Sequence, residues 1–455
     1  MTVDARYWDR DFETRPWSWI EAWQAQQLAS MLETLPQRSE LYRDLLAAAG
    51  SRVGLRGYWV TRGGRLPTLD MLETVPFTTR DDLCRGQGEP RPGRPLGLQQ
   101  AVPRQYVDQV VASAGTTGRP VLSGLTRRDR DVWSEAAALG FWTAGVRPDD
   151  VVAHLAQQPA AASGWPYADG LRRLGATVAW LGGCQPEQVL ARLPALQVTA
   201  LVTSTSLGIR LARDGLDGVA PRELGIRKLV VGGETGLSQP ETRRRIGDGW
   251  GLAHVRDTMG LAEAMANLWS ECDDAGGMHF NAGKYVIVEL VEPRTSSRLP
   301  WQEGTRGEAV YTTFDRDATP VLRYRSADHL EVTGMRCPCG RTSPRVRCLG
   351  RTDDLIPHGL TEVFPSIIRD VVLSGFGDAL EPQVRVGRDG PDRPIPVEVE
   401  PREGLPEDQR CDLADRIGEA VRQALQVRVA AVLVPPGTLS RNGPGHPALV
   451  QVRAI

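Results

Sequence analysis

Short runs of β-branched and other apolar residues alternate with helical patterns from about residue 107 to residue 325, and this alternation restricts the possible folds more than any other feature. Candidate strands lie at 151–155, 177–181, 200–203, 229–231, 285–291 and 309–313. Helical patterns fall between the earlier strands, at 128–140, 187–193 and 240–246. Strands that alternate with helices are typical of a layered α/β domain.

The two ends of the chain show different patterns. The first fifty residues carry apolar side chains at helical intervals, and Ser18 with Glu21 has the spacing of a helix-capping box. From residue 353 onward, strand-like segments at 383–386, 397–399 and 429–434 accompany one amphipathic helical pattern before the last of them. We predict a large, multi-subdomain α/β domain over 1–352 and a small α+β domain over 353–455.

Composition excludes several classes of protein. A length of 455 residues suggests about two or three domains or subdomains, and no run of about 18 apolar residues is present to span a membrane. The polar amino terminus does not resemble a signal for export. A net charge of -2 argues against a general nucleic-acid binder, and seven cysteines fit a reducing compartment. We expect a cytoplasmic protein with neither a nucleic-acid nor a membrane partner.

A series of short polar and glycine-containing motifs follows the amino-terminal region. They are SAGTTGRP at 113–120, VGGE at 231–234, DTMGLAE at 257–263, GE at 307–308, RYRSAD at 323–328, GRTD at 350–353 and GLTEVFP at 359–365. The first suits phosphate binding, because glycines let backbone N–H groups approach an anion and hydroxyls donate to it. Taken alone, such a loop is more often an ordinary tight turn, but the order and spacing of the whole series are distinctive.

With YWD at 7–9, PFTTRDDL at 76–83 and CPCGR at 337–341, the chain resembles the adenylate-forming superfamily and, within it, the phenylacetate–CoA ligase family. The resemblance covers nearly the whole chain. It implies a two-step reaction in which a carboxylate attacks the α-phosphate of Mg·ATP to give acyl-AMP and pyrophosphate. The small C-terminal domain is then mobile and swings about a hinge, and a thiol of coenzyme A, or of phosphopantetheine on an acyl or peptidyl carrier protein, takes the acyl group.

The resemblance also assigns nucleotide-binding residues. Those that would hold phosphates are Ser113, Gly115, Thr116, Thr117 and Gly118. Gly233 and Glu234 would line the adenine and acyl site, while Asp257 and Met259 would approach the nucleotide from the next motif.

The later motifs supply the charged residues. Glu263 would coordinate Mg²⁺, whose charge offsets that on the phosphates. Asp328 would accept both ribose hydroxyls, Arg351 would approach the ribose or phosphate, and Asp353 would be the hinge. The alternative for Glu263 and Asp328 is that they are solvated surface carboxylates.

The sequence departs from the family pattern mainly in the ATP half-reaction. The family's C-terminal lysine should fall within 437–447, but no lysine follows Lys284. The segment 437–447 contains Arg441 and His446 instead, and His446 is a candidate catalytic residue. Loss of a preorganised donor typically slows a reaction by about 10²–10³. Met259 replaces an aromatic residue expected to stack on adenine, and Ala262 replaces a phosphate-binding hydroxyl. Two milder changes are Arg119 for lysine and Ala114 for serine.

Three functional hypotheses remain open at this point. The first is an ATP-dependent ligase that joins an aryl or small acyl acid to coenzyme A or a carrier protein, in a specialised biosynthetic pathway. The second is an ATP-independent acyltransferase on a degenerate ligase scaffold, which moves an acyl group from acyl-CoA or acyl-AMP to a carrier thiol or an amine. The third is a ligase-like binding or regulatory protein. The retained carboxylates Glu263, Asp328 and Asp353 favour the first.

Four residues form a possible metal site. Cys272, His279, Cys337 and Cys339 are a ligand set of the kind that holds structural zinc, and the family pattern places similar residues here. Cys272 with His279 could come from an adjoining hairpin, and the Cys-x-Cys pair from one turn. The alternative is free, partly buried cysteines.

The acyl pocket should lie between the strand ends before the Gly-Gly-Glu turn and the segment after the phosphate loop. Its candidates are Trp142, Trp165, Tyr167, Ser204, Gly233 and Met259. Aromatic walls suit a small aromatic carboxylic acid. The rings could also simply fill the core, an interpretation that we favour for Trp142. A homodimer is a possible assembly.

Overall fold

A computed structural model describes residues 6–48, 68–88, 92–113, 120–214, 219–234, 237, 240–253, 255–274, 276–358, 361–388, 390, 393–439 and 450–454. The predicted phosphate-loop residues Gly115, Thr116, Thr117 and Gly118 lie outside this part of the chain, as do Ala114 and Arg119. The candidate catalytic residue His446 and its neighbour Arg441 also lie outside it. The roles predicted for these residues therefore stay predictions.

One large mixed sheet dominates the described residues. Its eleven strands are β3 (Val151–His154), β4 (Thr177–Trp180), β5 (Ala200–Thr203), β6 (Lys228–Gly232), β7 (Val255–Leu261), β8 (Met265–Glu271), β9 (Met278–Phe280), β10 (Val286–Val291), β11 (Arg306–Thr313), β12 (Tyr324–Gly334) and β13 (Arg345–Arg351). Their spatial order is β10-β11-β12-β13-β9-β8-β7-β6-β5-β3-β4. The five strands β4-β3-β5-β6-β7 run parallel, and the remaining pairs are antiparallel.

Smaller sheets complete the β-structure. The strands are β1 (Gln109–Ala112), β2 (Leu122–Leu125), β14 (Ile356–His358), β15 (Thr361–Val363), β16 (Leu380–Arg388), β17 (Ile395–Pro401), β18 (Val429–Leu433) and β19 (Val450–Ala454). β1 pairs with β2, β14 pairs with β15, and the last four strands form a sheet of order β18-β17-β16-β19.

Helices cover both faces of the large sheet, and further helices form the amino-terminal segment. They are α1 (Arg10–Glu13), α2 (Trp17–Arg38), α3 (Glu40–Ala48), α4 (Arg80–Gly88), α5 (Arg127–Thr143), α6 (Trp165–Leu174), α7 (Pro186–Ala195), α8 (Thr205–Asp214), α9 (Pro240–Trp250), α10 (Pro365–Phe376), α11 (Glu407–Arg410) and α12 (Leu413–Leu425). None of the helices in the described part of the chain has the length and apolar character needed to cross a bilayer.

The predicted α/β layering is confirmed, but the predicted capping box at Ser18 is wrong. Helix α2 begins at Trp17, directly after Pro16, and no side chain caps it. Pro16 is extended (φ -52°, ψ 134°), so the chain turns into the helix one residue before Ser18. A capping residue must lie just outside the helix, whereas Ser18 lies inside its first turn.

The chain has several distinct apolar cores. One face of the large sheet packs against α5 and α6 through residues such as Phe141 and Leu171, and the other packs against α7–α9 through residues such as Leu190. The four-stranded sheet has a separate core with α10 and α12, including Ile368 and Val421. The C-terminal α+β unit is therefore present; its predicted boundary between residues 352 and 353 stays a prediction.

Polar contacts join the C-terminal unit to the rest of the protein. The buried Arg369 donates from Nη1 to Thr242 Oγ1 at 2.7 Å, and Arg245 donates to the carbonyl oxygens of Gly377 and Leu380. Helix α9 thus forms much of the surface on which this unit rests. These contacts define one arrangement of the two units.

Candidate functional site

The carboxyl ends of the five parallel strands meet at one edge of the large sheet. Residues at or just beyond these ends are His154, Trp180, Ser204 and Gly233, and Met259, inside β7, lies level with the end of β6. In open α/β sheets, ligands bind at this edge, because loops that leave neighbouring strands towards opposite faces of the sheet open a crevice between them. The predicted acyl-site residues Ser204, Gly233 and Met259 therefore share one edge.

The turn after β6 brings Gly233 and Glu234 next to the start of α8. Gly233 has φ +80°, a left-handed conformation that glycine adopts readily. The Glu234 carboxylate accepts hydrogen bonds from Ser206 N and Ser206 Oγ at 2.8 and 2.7 Å, and Ser204 Oγ accepts from Leu207 N at 3.3 Å. Burial raises the pKa of Glu234, although the Ser206 bonds oppose this. These bonds fix the shape of the predicted adenine and acyl site.

Glu263 occupies a tight turn between β7 and β8. A side chain at Gly260 would bring its Cβ within 1.7 Å of the Ala266 carbonyl oxygen, so this turn requires glycine. Glu263 is 2% exposed, and its Oε1 lies 3.6 Å from Arg80 Nη1. Its Oε2 has no hydrogen-bond partner among the described residues. Burial raises the pKa of Glu263, while the charges of Arg80 and Arg351 lower it.

Asp328 and Arg351 lie side by side in the β12–β13 ladder. Their residues are paired in register, and Arg351 Nη1 donates to Asp328 Oδ1 at 3.0 Å. Arg351 Nη2 also donates to the Ser326 carbonyl oxygen at 3.0 Å. Burial raises the pKa of Asp328, and the charge of Arg351 opposes that shift. Because Glu263 interacts electrostatically with both, the two carboxylates form one charged cluster with Arg351 and Arg80.

Ser113 joins the beginning of the predicted phosphate loop to this cluster. Its Oγ accepts from Val121 N at 2.9 Å and from Arg80 Nη1 at 3.2 Å. Arg80 opens helix α4 within the PFTTRDDL segment, and its position at the site is not apparent from the sequence. The sequence contained one signal that could have identified Arg80 as a site residue: it is the only cation in a segment that resembles the family. The structure places that cation between Ser113 and Glu263.

This donor set fits Mg²⁺ and a nucleotide phosphate. Hard divalent cations prefer carboxylate oxygens, and Glu263 Oε2 is a buried carboxylate oxygen without a protein partner in the described part of the chain. Arginine guanidinium and serine hydroxyl groups donate to phosphate oxygens. Glu263 and Asp328 are therefore not freely solvated surface carboxylates, because both are largely buried.

Asp257 and Met259 alternate along β7 with residues on its other face. The Asp257 backbone N–H donates to Glu271 Oε2 at 3.2 Å, and Arg243 forms an ion pair with the same carboxylate at 2.7 Å. Burial and the neighbouring Glu271 raise the pKa of Asp257 to about 8. Asp257 thus lies beside a buried ion pair, and its predicted contact with the nucleotide stays a prediction.

The predicted aromatic wall separates into an exposed and a buried part. Trp165 is 45% exposed and packs on Trp180, with ring centroids 5.2 Å apart. Tyr167 is buried and meets Phe141 edge-on at 5.0 Å. The preference for Trp142 as a core residue agrees with its burial in the apolar core beside α5. Trp165 is therefore the ring among these that is open to a ligand.

Asp353 lies in the short 3₁₀ turn Thr352–Asp354 that follows β13 and is exposed. This turn connects the large sheet to the C-terminal strands. Its hinge role stays a prediction.

The four predicted metal ligands converge. Cys272 follows β8, His279 lies in β9, and Cys337 with Cys339 lies in the turn between β12 and β13. Because β13 pairs with β9, these two hairpins lie side by side. Cys272 Sγ is 3.6 Å from Cys337 Sγ, Cys339 Sγ is 3.4 Å from His279 Nε2, and all four ligand atoms lie within 4.8 Å of one another. Ligands of a tetrahedral zinc site are about 3.5–4 Å apart, so the cluster fits such an ion.

Comparison with known proteins identifies related enzymes. No protein-family model matches the chain. It is 30% identical to a phenylacetate–coenzyme A ligase of Thermus thermophilus, over 96% of this chain and 97% of that protein. It is 28% identical to a phenylacetate–coenzyme A ligase of Escherichia coli, over 93% of this chain and 92% of that one.

Solved structures agree as well. A 2-hydroxyisobutyryl-CoA ligase in the postadenylation state, in complex with 2-HIB-AMP, superposes with a TM-score of 0.87 at 25% identity, over 100% of this chain and 94% of that one. The same ligase in its thioesterification state gives 0.68 at 25% identity, over 99% and 94%. The present arrangement of the two units thus resembles the postadenylation state more than the later one. From the relative at 30% identity over almost its whole length, together with this adenylate-forming fold, the chain belongs to the phenylacetate–coenzyme A ligase family of acid–thiol ligases.

Proposed function

We propose that this protein activates a small aromatic carboxylic acid with ATP as acyl-AMP and transfers the acyl group to coenzyme A. The observation that carries the proposal is the buried carboxylate of Glu263, which has one unpartnered oxygen among the described residues and lies 3.6 Å from Arg80. The Asp328–Arg351 pair interacts electrostatically with the same carboxylate. An anionic nucleotide with its cation satisfies all of these groups at once.

In the first step, the substrate carboxylate oxygen bonds to the α-phosphorus of ATP, and the bond to pyrophosphate breaks. Mg²⁺, when bound through Glu263, offsets the charge on the phosphate oxygens. Arg80 and Ser113 donate hydrogen bonds to phosphate oxygens, and Asp328 accepts from the ribose hydroxyls. Since no lysine follows Lys284, Arg80 carries part of the positive charge that the family lysine supplies.

In the second step, the thiol attacks the acyl carbon, and AMP leaves. We propose that 1–352 and 353–455 act as two domains hinged at Asp353. The Arg369–Thr242 and Arg245 contacts hold the first arrangement, and they must break before the C-terminal domain can rotate.

The rim of the parallel-strand edge supports an aromatic substrate. Trp165 and Trp180 form an exposed pair of rings, which suits stacking and edge contacts with an aryl acid. A specialised biosynthetic step, with a carrier-protein thiol as acceptor, is the variant of this proposal that the Lys-poor sequence suggests.

We also propose a structural zinc ion at Cys272, His279, Cys337 and Cys339. The role of this ion would be structural, because its four ligands come from two neighbouring hairpins and would hold them together. Tyr7 Oη donates to the Cys339 carbonyl oxygen at 2.7 Å, and Arg341 forms a buried ion pair with Glu13 at 2.6 Å. A metal at this position would therefore also fasten the amino-terminal segment to the large sheet.

The proposal is tested by measuring pyrophosphate release with a panel of aryl and short-chain acids, trapping acyl-AMP with hydroxylamine. Parallel reactions contain coenzyme A or a phosphopantetheinylated carrier protein, and thioesters are identified by mass spectrometry. Release that requires one acid, followed by formation of its thioester, supports the proposal. A folded protein that releases no pyrophosphate, yet moves an acyl group from acyl-CoA to a carrier thiol without ATP, would establish the acyltransferase instead.

A further inference from the structure

A histidine lies among the aromatic residues at the carboxyl edge of the parallel strands. His154 ends β3, next to Trp180 at the end of β4. The His154 ring meets Trp180 edge-on at 4.6 Å and lies 6.4 Å from the ring of Tyr167. Trp180 in turn packs on the exposed Trp165. His154 therefore contacts the inner ring of the Trp165–Trp180 pair, at the sheet edge where we propose the acyl pocket.

The hydrogen bonding of His154 determines which ring nitrogen carries the proton. Its Nε2 lies 3.3 Å from the Gly164 carbonyl oxygen, which accepts hydrogen bonds and cannot donate them. Nε2 is therefore assigned as the N–H donor in the neutral ring, and Nδ1 presents a lone pair. Burial lowers the pKa of His154 to about 4, although backbone hydrogen bonds with Gly164 and Ser163 oppose this shift, so the ring is neutral near pH 7.

The remaining nitrogen is a buried acceptor. His154 is 1% exposed, and its Nδ1 has no hydrogen-bond partner among the described residues. Buried side-chain acceptors in proteins are usually satisfied. An acceptor in this position selects for a ligand that brings a donor.

We infer that His154 is a specificity-determining residue, whose Nδ1 accepts a hydrogen bond from a hydroxyl or amino substituent on the aromatic acid. The inference rests on the proposed function, and it narrows the substrate class from aryl acids in general to aryl acids with a neutral hydrogen-bond donor remote from the carboxylate. Sites that hydrogen-bond a substrate group discriminate strongly against analogues without it, because the site's own polar atom is then left unpaired.

The test compares matched acids. Benzoate- and phenylacetate-type acids are assayed unsubstituted and with hydroxyl, amino, methyl or methoxy groups at each ring position. The methoxy group retains an oxygen but lacks a donor, so it separates donor capacity from size and polarity. For the wild-type enzyme we expect kcat/KM to be at least about tenfold higher for a hydroxyl or amino acid than for its methyl and methoxy counterparts.

Variants assign the preference to His154. His154→Phe preserves a ring beside Trp180 but removes the acceptor, and we expect it to reduce the donor preference, measured as the ratio of kcat/KM between matched acids, to about onefold. His154→Gln keeps an acceptor, so it should restore part of the preference. His154→Leu provides a second acceptor-free variant if the Phe variant does not fold.

Each outcome bears on the inference. A wild-type enzyme that turns over acids with no preference for donors overturns it and leaves the proposed function intact. The inference is also overturned, with the proposed function intact, if His154→Phe keeps the donor preference. This includes the case in which the variant slows all acids equally, because the residue is then purely structural. If no acid supports pyrophosphate release or thioester formation, the proposed function fails and this inference fails with it.

Discussion

Removal of the Glu263 charge should affect activity and stability in opposite directions. Glu263→Gln keeps the size of the side chain but replaces the proposed Mg²⁺ ligand with an amide. We expect pyrophosphate release to fall by about 10²–10³, the usual cost of losing one preorganised electrostatic contact in a reaction centre. We expect the free energy of unfolding to rise slightly.

The stability effect follows from the surroundings of Glu263. Its Oε1 lies 3.6 Å from Arg80 Nη1, where opposite charges attract by about 4–5 kcal/mol at an effective dielectric constant of 20. Burial nevertheless raises the pKa of Glu263, so desolvation exceeds that attraction. A neutral amide costs less to desolvate than an ionised carboxylate, so we expect the variant to gain about 1 kcal/mol even though its amide still leaves a buried polar atom unpaired.

The pH dependence has a defined sign. A carboxyl whose pKa is raised by folding binds its proton more tightly in the native state, so its contribution to stability is lost as pH rises from the unfolded pKa through the folded one. Glu263→Gln removes this loss. The difference in thermal midpoint between variant and wild type should therefore be larger at pH 8 than at pH 5.

Glu289→Gln provides a matched control. Glu289 is also buried in the large sheet, but Arg323 binds both of its oxygens, at 3.1 and 3.2 Å. Breaking such a pair should lower stability by about 3 kcal/mol and leave activity nearly unchanged in the folded enzyme. Activity is measured as pyrophosphate release over a Mg²⁺ titration, and stability as the thermal midpoint. Wild-type activity of Glu263→Gln at moderate Mg²⁺ would refute the role given to Glu263.

Three further substitutions test the rest of the site. Arg80→Ala should slow pyrophosphate release by about 10², because a donor to phosphate is lost; an unchanged rate would remove Arg80 from the reaction centre. Asp328→Asn should raise the KM for ATP by about tenfold through weaker ribose binding, with KM for coenzyme A unaffected, as read from initial rates. Cys339→Ser should lose one equivalent of zinc by metal analysis and lower the thermal midpoint, whereas Cys84→Ser should do neither; equal metal content in both would exclude the site.

The sequence predicted those parts of the molecule that depend on local patterns. Apolar periodicity located four of the five parallel strands, β3, β4, β5 and β6, to within a residue, because the side chains of a strand must alternate or be wholly buried. It missed the fifth, β7, whose polar and glycine-containing sequence was interpreted only as a motif. It failed at Ser18, where capping-box spacing was present but Pro16 had already fixed the start of the helix. Local spacing shows that a cap is compatible with the sequence, whereas the path of the preceding chain decides where the helix begins.

Contacts between residues far apart in the sequence could be proposed from the sequence, but only the structure shows whether they form. The metal ligands come from residues up to 67 positions apart, between Cys272 and Cys339, and the contact between β9 and β13 is what brings them together. Asp328 and Arg351 meet because their strands are paired in register. Each of these contacts depends on strand order, which no local pattern encodes.

The sequence by itself determined the α/β layering, the resemblance to the ligase family and the identity of the charged residues at its motifs. Only the tertiary structure decided that Arg80 lies against Ser113 and Glu263. It also decided that, among the described residues, one oxygen of Glu263 and Nδ1 of the buried His154 have no hydrogen-bond partner. The physical reason is that residue types set which hydrogen bonds and charges are available. Burial and neighbours, which the packing of distant segments creates, set which of them remain for a ligand.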